Sequence, residues 1–249
     1  AIELAPRHIS HYQLTLEPGT ALHRRPPALP DDEAAWDIQE ACHQALTAAG
    51  LVQGRRKAPL GYALYSDRSE IALRLLTRGH EAPTLETWRA RMDAAISYRE
   101  SLGIDATAYR LIHGEADRLP GLVVDRYGED LVLQALVQGV DRLLPDFTRL
   151  LAERLQPAGI LARNDPRVRL LEGLEQTVTV LHGTVPEGIE IREGRVRYVV
   201  DPYHGQKTGL FLDQRENRVA AAGYARGRAL DAFSYNGGFA LALAPVCSE

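Results

Sequence analysis

Residues 204–239 read HGQKTGLFLDQRENRVAAAGYARGRALDAFSYNGGF, and the reading of this stretch decides the fold. It holds two features about twenty residues apart. The first is the polar block Gly205-Gln206-Lys207-Thr208-Gly209 with Asp213-Gln214-Arg215 and Asn217-Arg218. The second is the apolar run Ala229-Leu230-Asp231-Ala232-Phe233, which breaks into Ser234-Tyr235-Asn236-Gly237-Gly238-Phe239 and an alanine-rich segment. A strand, a glycine turn and a helix start let a backbone approach a nucleotide-like cofactor closely. The glycine pair does not match G-x-G-x-x-G, so the turn alone fits equally a strand-to-helix connection with no ligand.

The whole string says more. "GQKTGLFLDQRENR" followed by "LDAFSYNGGFAL" resembles a family of class I S-adenosylmethionine-dependent methyltransferases that modify cytosine in large-subunit ribosomal RNA. The resemblance extends over about residues 58–245. It implies that Asp231, Phe233, Tyr235, Gly237 and Gly238 line the donor pocket, framed by Gln206, Lys207 and Arg215. Asp231 also reads as a simple turn cap. The resemblance further implies S-adenosylmethionine as cofactor and large-subunit ribosomal RNA as partner.

Working outward, the composition sets bounds. The chain has 249 residues, 45% of them hydrophobic and 25% charged, as in ordinary globular proteins. No apolar run approaches the length of a membrane span. The start, AIELAPRHISHYQL, lacks the basic and apolar regions of a secretory signal. Cys42 and Cys247 are the only cysteines, which suggests neither a disulfide scaffold nor a metal pair. A reducing, cytoplasmic setting is the expectation. The net charge of −4 sits wholly in residues 1–53, so no global basic field points to nucleic acid, while a local basic face remains open.

HISHYQLTLEPGTALHRR and DDEAAWDIQEACHQALTAAGLVQ, within residues 8–53, carry a separate resemblance, to an oxygen-independent coproporphyrinogen oxidase-like protein of the radical S-adenosylmethionine class. The Cys-x-x-x-Cys-x-x-Cys motif that such proteins need for their iron–sulfur cluster is missing. His8, His11 and His23 have no supporting ligands and read as packed or exposed side chains, with no metal expected. Ala35, Ile38, Cys42, Leu46 and Ala49 recur at helical spacing, which makes Cys42 a core residue. The basic junction Gly54-Arg55-Arg56-Lys57-Ala58-Pro59 joins the two pieces.

From Gly61, GYALYSDRSEIALRLLTRG resembles the tail of the RNA-binding barrel that precedes this methyltransferase type, which implies a linker and PUA-like barrel tail over residues 54–80. There Arg68, Arg74 and Arg78 are candidate phosphate contacts, or arginines on an outer face. A helix over 84–102 follows, with Thr84 as cap, Gly103 as stop, and Leu85, Trp88, Met92, Ile96 and Leu102 on one side. Trp88 reads as core. Strands are expected at Tyr109 to His113, Leu122 to Tyr127 and Leu131 to Gln138, then a helix from Asp141 to Leu155. Further strands cover Val178 to Leu181 and Ile189 to Val200, with a hairpin turn at Glu193-Gly194. Glu115, Asp117 and Asp125 read as turn caps and ion-pair partners. Arg163, Arg167 and Arg169 form a basic loop that either faces RNA or pairs internally, with Glu172 at hand.

The expected fold is α/β: an α+β central domain over 81–200, then the beginning of a Rossmann-like methyltransferase domain over 201–249, with Ala229 to Phe233 as its first strand. That domain is expected to be incomplete. Cytosine carbon-five methylation requires a thiolate that adds to the ring. The resemblance puts that cysteine far beyond the glycine turn, so Cys247 is not assigned the role and no catalytic residue is named. The chain is therefore expected to be methyltransferase-like without transferring methyl groups itself. The alternatives are a non-catalytic RNA-binding remnant and a fragment of a coproporphyrinogen oxidase-like protein.

Overall fold

Thr84 starts the longest helix among the described residues with two reciprocal hydrogen bonds. In the computed structural model, which describes residues 51–53 and 59–248, its hydroxyl accepts from the Thr87 N–H at 3.4 Å. The Thr87 hydroxyl accepts from the Thr84 N–H at 3.1 Å in return. The pair satisfies amides that have no helical partner at this end. Helix α1 then runs Leu85–Ser101 and buries Trp88, Met92, Ala95 and Ile96 along one stripe. Leu85 and Leu102, expected on the same side, are exposed because they lie at the helix ends, outside that stripe. Trp88 is core: its ring stands edge-on to Phe147, with centroids 5.4 Å apart, a geometry that adds about 0.5–1.5 kcal/mol beyond burial.

Phe147 belongs to the helices that lie beside α1 in the same layer. The single helix expected from Asp141 to Leu155 is instead α2, Gln138–Arg142, and α3, Leu144–Leu155, meeting at Leu143. Pro145 is the physical reason. It has no N–H to donate and fits only a first helical turn, so a helix restarts there. Gln138 accordingly opens α2 and does not extend the preceding strand, which ends at Ala135.

These helices cover one face of a five-stranded sheet. Its strands are β4 (Ala108–His113), β5 (Leu122–Tyr127), β6 (Asp130–Ala135), β7 (Gly159–Asn164) and β8 (Thr177–Gly183), adjacent in chain order. All pairs are antiparallel except β6 and β7, the pair that α2 and α3 connect. Alternate residues face opposite ways. Leu122, Val124, Leu131, Leu133, Ile160 and Ala162 pack with α1 and α3. Tyr127, Val132 and Leu161 pack on the other side with Ile189, Ile191, Tyr198, Val200 and Leu210. That second cover is the hairpin β9 (Ile189–Glu193) and β10 (Val196–Val200), turned through Gly194 at φ 56. Burial on both faces explains why β5 to β7 read as near-continuous apolar runs.

A smaller antiparallel sheet precedes this body: β1 (Leu51–Gln53), β2 (Pro59–Tyr65) and β3 (Leu73–Arg78). β1 and β2 pair across the expected junction near residue 54. Leu64 and Leu76 pack onto the main core. The readings made for residues 8–50, including Cys42 and the three histidines, lie outside the described residues.

The C-terminal part departs from expectation. Beyond the short helix α4 (Val168–Leu171), helix α5 (Arg215–Tyr224) forms, and α6 (Gly238–Leu243) opens at the glycine pair. Ala229 to Phe233 is not a strand. Leu230 is 91% exposed, and no strand of the described residues pairs with this run. A strand without a ladder leaves its amides and carbonyls unpartnered, so local apolar pattern does not suffice to form one. Among the described residues no helix is long and apolar enough to cross a membrane.

Candidate functional site

The polar block forms a tight loop laid onto the central sheet. Asp201 starts it by accepting from the Tyr203 and His204 amides at 2.8 and 2.9 Å. The backbone then coils so closely that a Cβ on Gly205 would lie 2.5 Å from the Asp201 carbonyl oxygen. Lys207 takes a left-handed φ of 57, a conformation that costs a residue with a side chain about 1–2 kcal/mol.

Thr208 anchors the loop from below and is fully buried. Its hydroxyl donates to Asp125 Oδ2 at 2.6 Å. A carboxylate only accepts, so the Tyr127 hydroxyl, 2.9 Å from Thr208 Oγ1, donates to Thr208. Tyr127 accepts in turn from the Leu210 amide at 3.2 Å. Burial, with the Asp125 charge beside it, pushes the Tyr127 phenol far above its ordinary range and keeps it protonated. Arg110 closes the network with a two-pronged bond to Asp125, 2.8 Å from Nε and 3.0 Å from Nη2.

Tyr235 joins the two sequence blocks. Its hydroxyl accepts from the Gln206 amide at 3.1 Å and donates to the Gly209 carbonyl at 3.4 Å. Its ring stands edge-on to Phe211, 5.6 Å between centroids. Lys207 Nζ lies 4.4 Å above the Phe211 ring and bonds both oxygens of Asp213 at 2.9 and 3.0 Å. Burial works against ionisation of Asp213, but the Lys207 hydrogen bond and charge outweigh it and hold this carboxyl below its usual range. A cation, two aromatic rings and an acid thus share one face with the glycine turn beside it.

That turn is strained. Phe233, Tyr235 and Gly237 have φ of 63, 49 and 71, and non-glycine residues hold such values only where the surroundings enforce them. Asp231 accepts from the Ala240 amide at 2.9 Å, so it caps α6. Gly238 sits on Arg218: a Cβ there would be 2.7 Å from Arg218 Nε.

No family model matches this sequence. The sequence is, however, 39% identical over 186 residues to ribosomal RNA large subunit methyltransferase I of Pseudoalteromonas atlantica. It is 37% identical over 198 residues to the protein of that name from Shigella boydii. The chain is a homologue of these methyltransferases. The matches cover 72% and 76% of this chain and 47% and 50% of the relatives, so it spans about half the length of the curated relatives it matches. Two solved structures share the fold. One, a candidate SAM-dependent methyltransferase from Streptococcus mutans, gives a TM-score of 0.67 at 23% identity, covering 78% of this chain and 51% of that one. The other, a candidate methyltransferase complexed with SAH, gives 0.63 at 20% identity, with 82% and 58% covered. The coproporphyrinogen oxidase resemblance read in residues 8–53 finds no support among these homologues.

The residues expected to hold the donor are thus partly gathered. Gln206, Lys207 and Tyr235 meet on one face, with Gly237 and Gly238 in the adjoining turn. Arg215 turns to its neighbour Glu216, at 2.9 Å. Phe233 is wholly exposed and forms no wall. An open groove of about 760 Å³ lies elsewhere, between α3 and β7–β8, and none of these eight residues lines it.

The expected RNA-contacting arginines divide. Arg163 is 4% exposed and donates to Asp165, to the Pro202 carbonyl at 2.6 Å and to the Gly205 carbonyl at 3.2 Å. Arg169, equally buried, binds the carbonyls of Ala135 and Glu175 and the carboxylate of Asp141. Arg74 pairs with Glu172 at 3.4 Å and caps the Ile71 carbonyl. All three pair inside the protein, which for Arg163 and Arg169 is the alternative that the sequence left open. Arg68, Arg78 and Arg167 are exposed. Asp117 and Asp125 are ion-pair partners, of Arg99 at 2.6 Å and Arg110 at 2.8 Å.

Sequence reasoning missed Thr208, Tyr127 and Phe211 as parts of this site. Thr208 and Phe211 lay inside the quoted block. Tyr127 lies 81 residues before Thr208, and nothing local marks it.

Proposed function

We propose that this chain forms part of an S-adenosylmethionine-dependent methyltransferase acting on large-subunit ribosomal RNA, with the donor lying against the face made by residues 206–215 and 231–238. One observation carries the reading: the Tyr235 hydroxyl bonds the backbone on both sides of Lys207 and so brings together the two blocks that mark the resemblance. The names of the curated relatives support the RNA substrate, and the SAH-complexed neighbour supports the donor. Cytosine is the base that the sequence resemblance implies.

The residues fit such a ligand. Gly237, where a Cβ would meet only Leu241 at 4.0 Å, leaves the backbone bare as it turns into α6, and close approach needs that absence of a side chain. The exposed edge of Tyr235 and the Lys207–Asp213 pair offer a stacking surface and polar partners for a nucleoside. When bound, the donor supplies an electrophilic methyl group. The protein's own residues bind it and fix its orientation toward the base. The alternative of RNA binding without a donor is weakened by the internal pairing of Arg74, Arg163 and Arg169.

The test is calorimetric titration of residues 1–249 with SAH. Saturable binding is expected, and Y235F should weaken it about tenfold, the worth of one hydrogen bond of this kind. Absence of SAH binding by the folded, unaltered chain would overturn the reading.

A further inference from the structure

Thr208 is the residue through which the central sheet reaches the donor face. Three hydrogen bonds bind its short segment to β5: Thr208 to Asp125, Tyr127 to Thr208, and the Leu210 amide to Tyr127. All three are buried. Immediately before Thr208 stands Lys207 in its left-handed conformation, and immediately after stands Gly209 at φ 137. The lysine geometry is unfavourable in an unconstrained loop, whereas glycine adopts its positive φ freely. The two atoms that hold Tyr235, the Gln206 amide and the Gly209 carbonyl, flank this same segment. Rotation of Thr208 away from Asp125 would move both of them together.

The far end of the network faces outward. Arg110 grips Asp125 with two donors, yet its side chain is 33% exposed, and Nη1 lies 3.3 Å from His113 Nδ1 at the surface of β4. Hydrogen bonds therefore run from that surface through Asp125 to Thr208, and the backbone of residues 206–209 carries the connection on to Tyr235.

We infer that Asp125 and Thr208 are positioning residues for the methyl-donor face: the β5 carboxylate sets the Lys207 backbone and, through it, the seat of Tyr235. Donor affinity then depends on the central sheet as well as on the segment that touches the donor. This rests on the proposed donor site, and the experiment below separates the two claims.

T208V keeps the volume and removes the hydroxyl, whereas T208S keeps the hydroxyl. The Tyr235 ring resonances, assigned by comparison with Y235F, report its seating directly. SAH titration reports the site. The expectation for T208V is a shift of the Tyr235 resonances and a fall in SAH affinity of about ten- to a hundredfold, the worth of a hydrogen bond to a charged group. T208S should match the unaltered chain in both. A purely structural role predicts a lower melting temperature for T208V with Tyr235 and SAH affinity unchanged in the folded protein, and that result overturns the inference. If the unaltered chain binds no SAH, the donor reading fails by itself, and the Tyr235 resonances alone decide the positioning claim. Should T208V not fold, Y127F removes the adjoining link at nearly constant volume and is judged by the same two readouts.

Discussion

Arg218 and Glu193 form a two-pronged ion pair in the interior: Arg218 Nη1 lies 2.8 and 2.7 Å from the two carboxylate oxygens, and the side chains are only 4% and 8% exposed. Arg218 also donates to the Phe211 carbonyl at 3.0 Å. The pair therefore ties the end of β9 to α5 and to the loop that carries the aromatic face. Its Nε is buried without a partner, on the side where Gly238 approaches.

Removing one member of this pair should be far worse than removing both. R218M leaves the Glu193 carboxylate buried and alone, with an expected loss of about 3–5 kcal/mol. The double variant E193L/R218M should recover most of that loss, because two apolar side chains carry no desolvation penalty. Urea melts of the single and double variants check this. Equal losses for both would show that packing, not charge, holds the joint.

Gly238 should tolerate no side chain. In G238A the new Cβ meets Arg218 Nε at 2.7 Å, and that guanidinium is held by Glu193 and Phe211. A loss of about 1–3 kcal/mol is expected. G223A is the control. Gly223 lies in α5 with nothing within 4 Å of a Cβ, so alanine there should raise stability by about 0.4–1 kcal/mol. Thermal melts that rank the two variants the other way would contradict the packing of α6 on Arg218.

Tyr127 should make the fold sensitive to alkali. Its folded-state pKa is raised above the ordinary 10.0, by burial first and then by the Asp125 charge. The neutral phenol is thus favoured in the folded state. This contribution is fully present below pH 10 and is lost as the pH rises from there toward the folded pKa. Tyr65 and Tyr198 are raised as well and act in the same window. Y127F should therefore flatten, without abolishing, the fall in stability above about pH 10. Tyrosinate absorbance followed through denaturant melts measures it, and an unchanged alkaline slope in Y127F would count against the buried network.

The helix over 84–102 was legible because its signals are local: Thr84 caps, Gly103 stops, and the apolar residues between them repeat at helical spacing. The hairpin at Glu193-Gly194 was legible for the same reason. Strands β5 and β6 were readable as apolar runs, but their sheet order was not, since register depends on partners distant in sequence. Ala229 to Phe233 shows the limit. Its composition suits a strand, yet a strand exists only where a neighbour supplies the ladder.

By itself, the sequence determined the α/β class, the main helix and hairpin boundaries, and the two blocks that mark kinship with methyltransferases. Tertiary structure alone decided what the charges do. The string RNDPRVR left Arg163 and Arg169 open both to RNA and to internal pairing, and the fold turns both inward, because each has carbonyls and a carboxylate within reach. It also brought Tyr127 to Thr208 across 81 residues. Hydrogen bonding acts over about 3 Å of space, and no sequence pattern measures that distance.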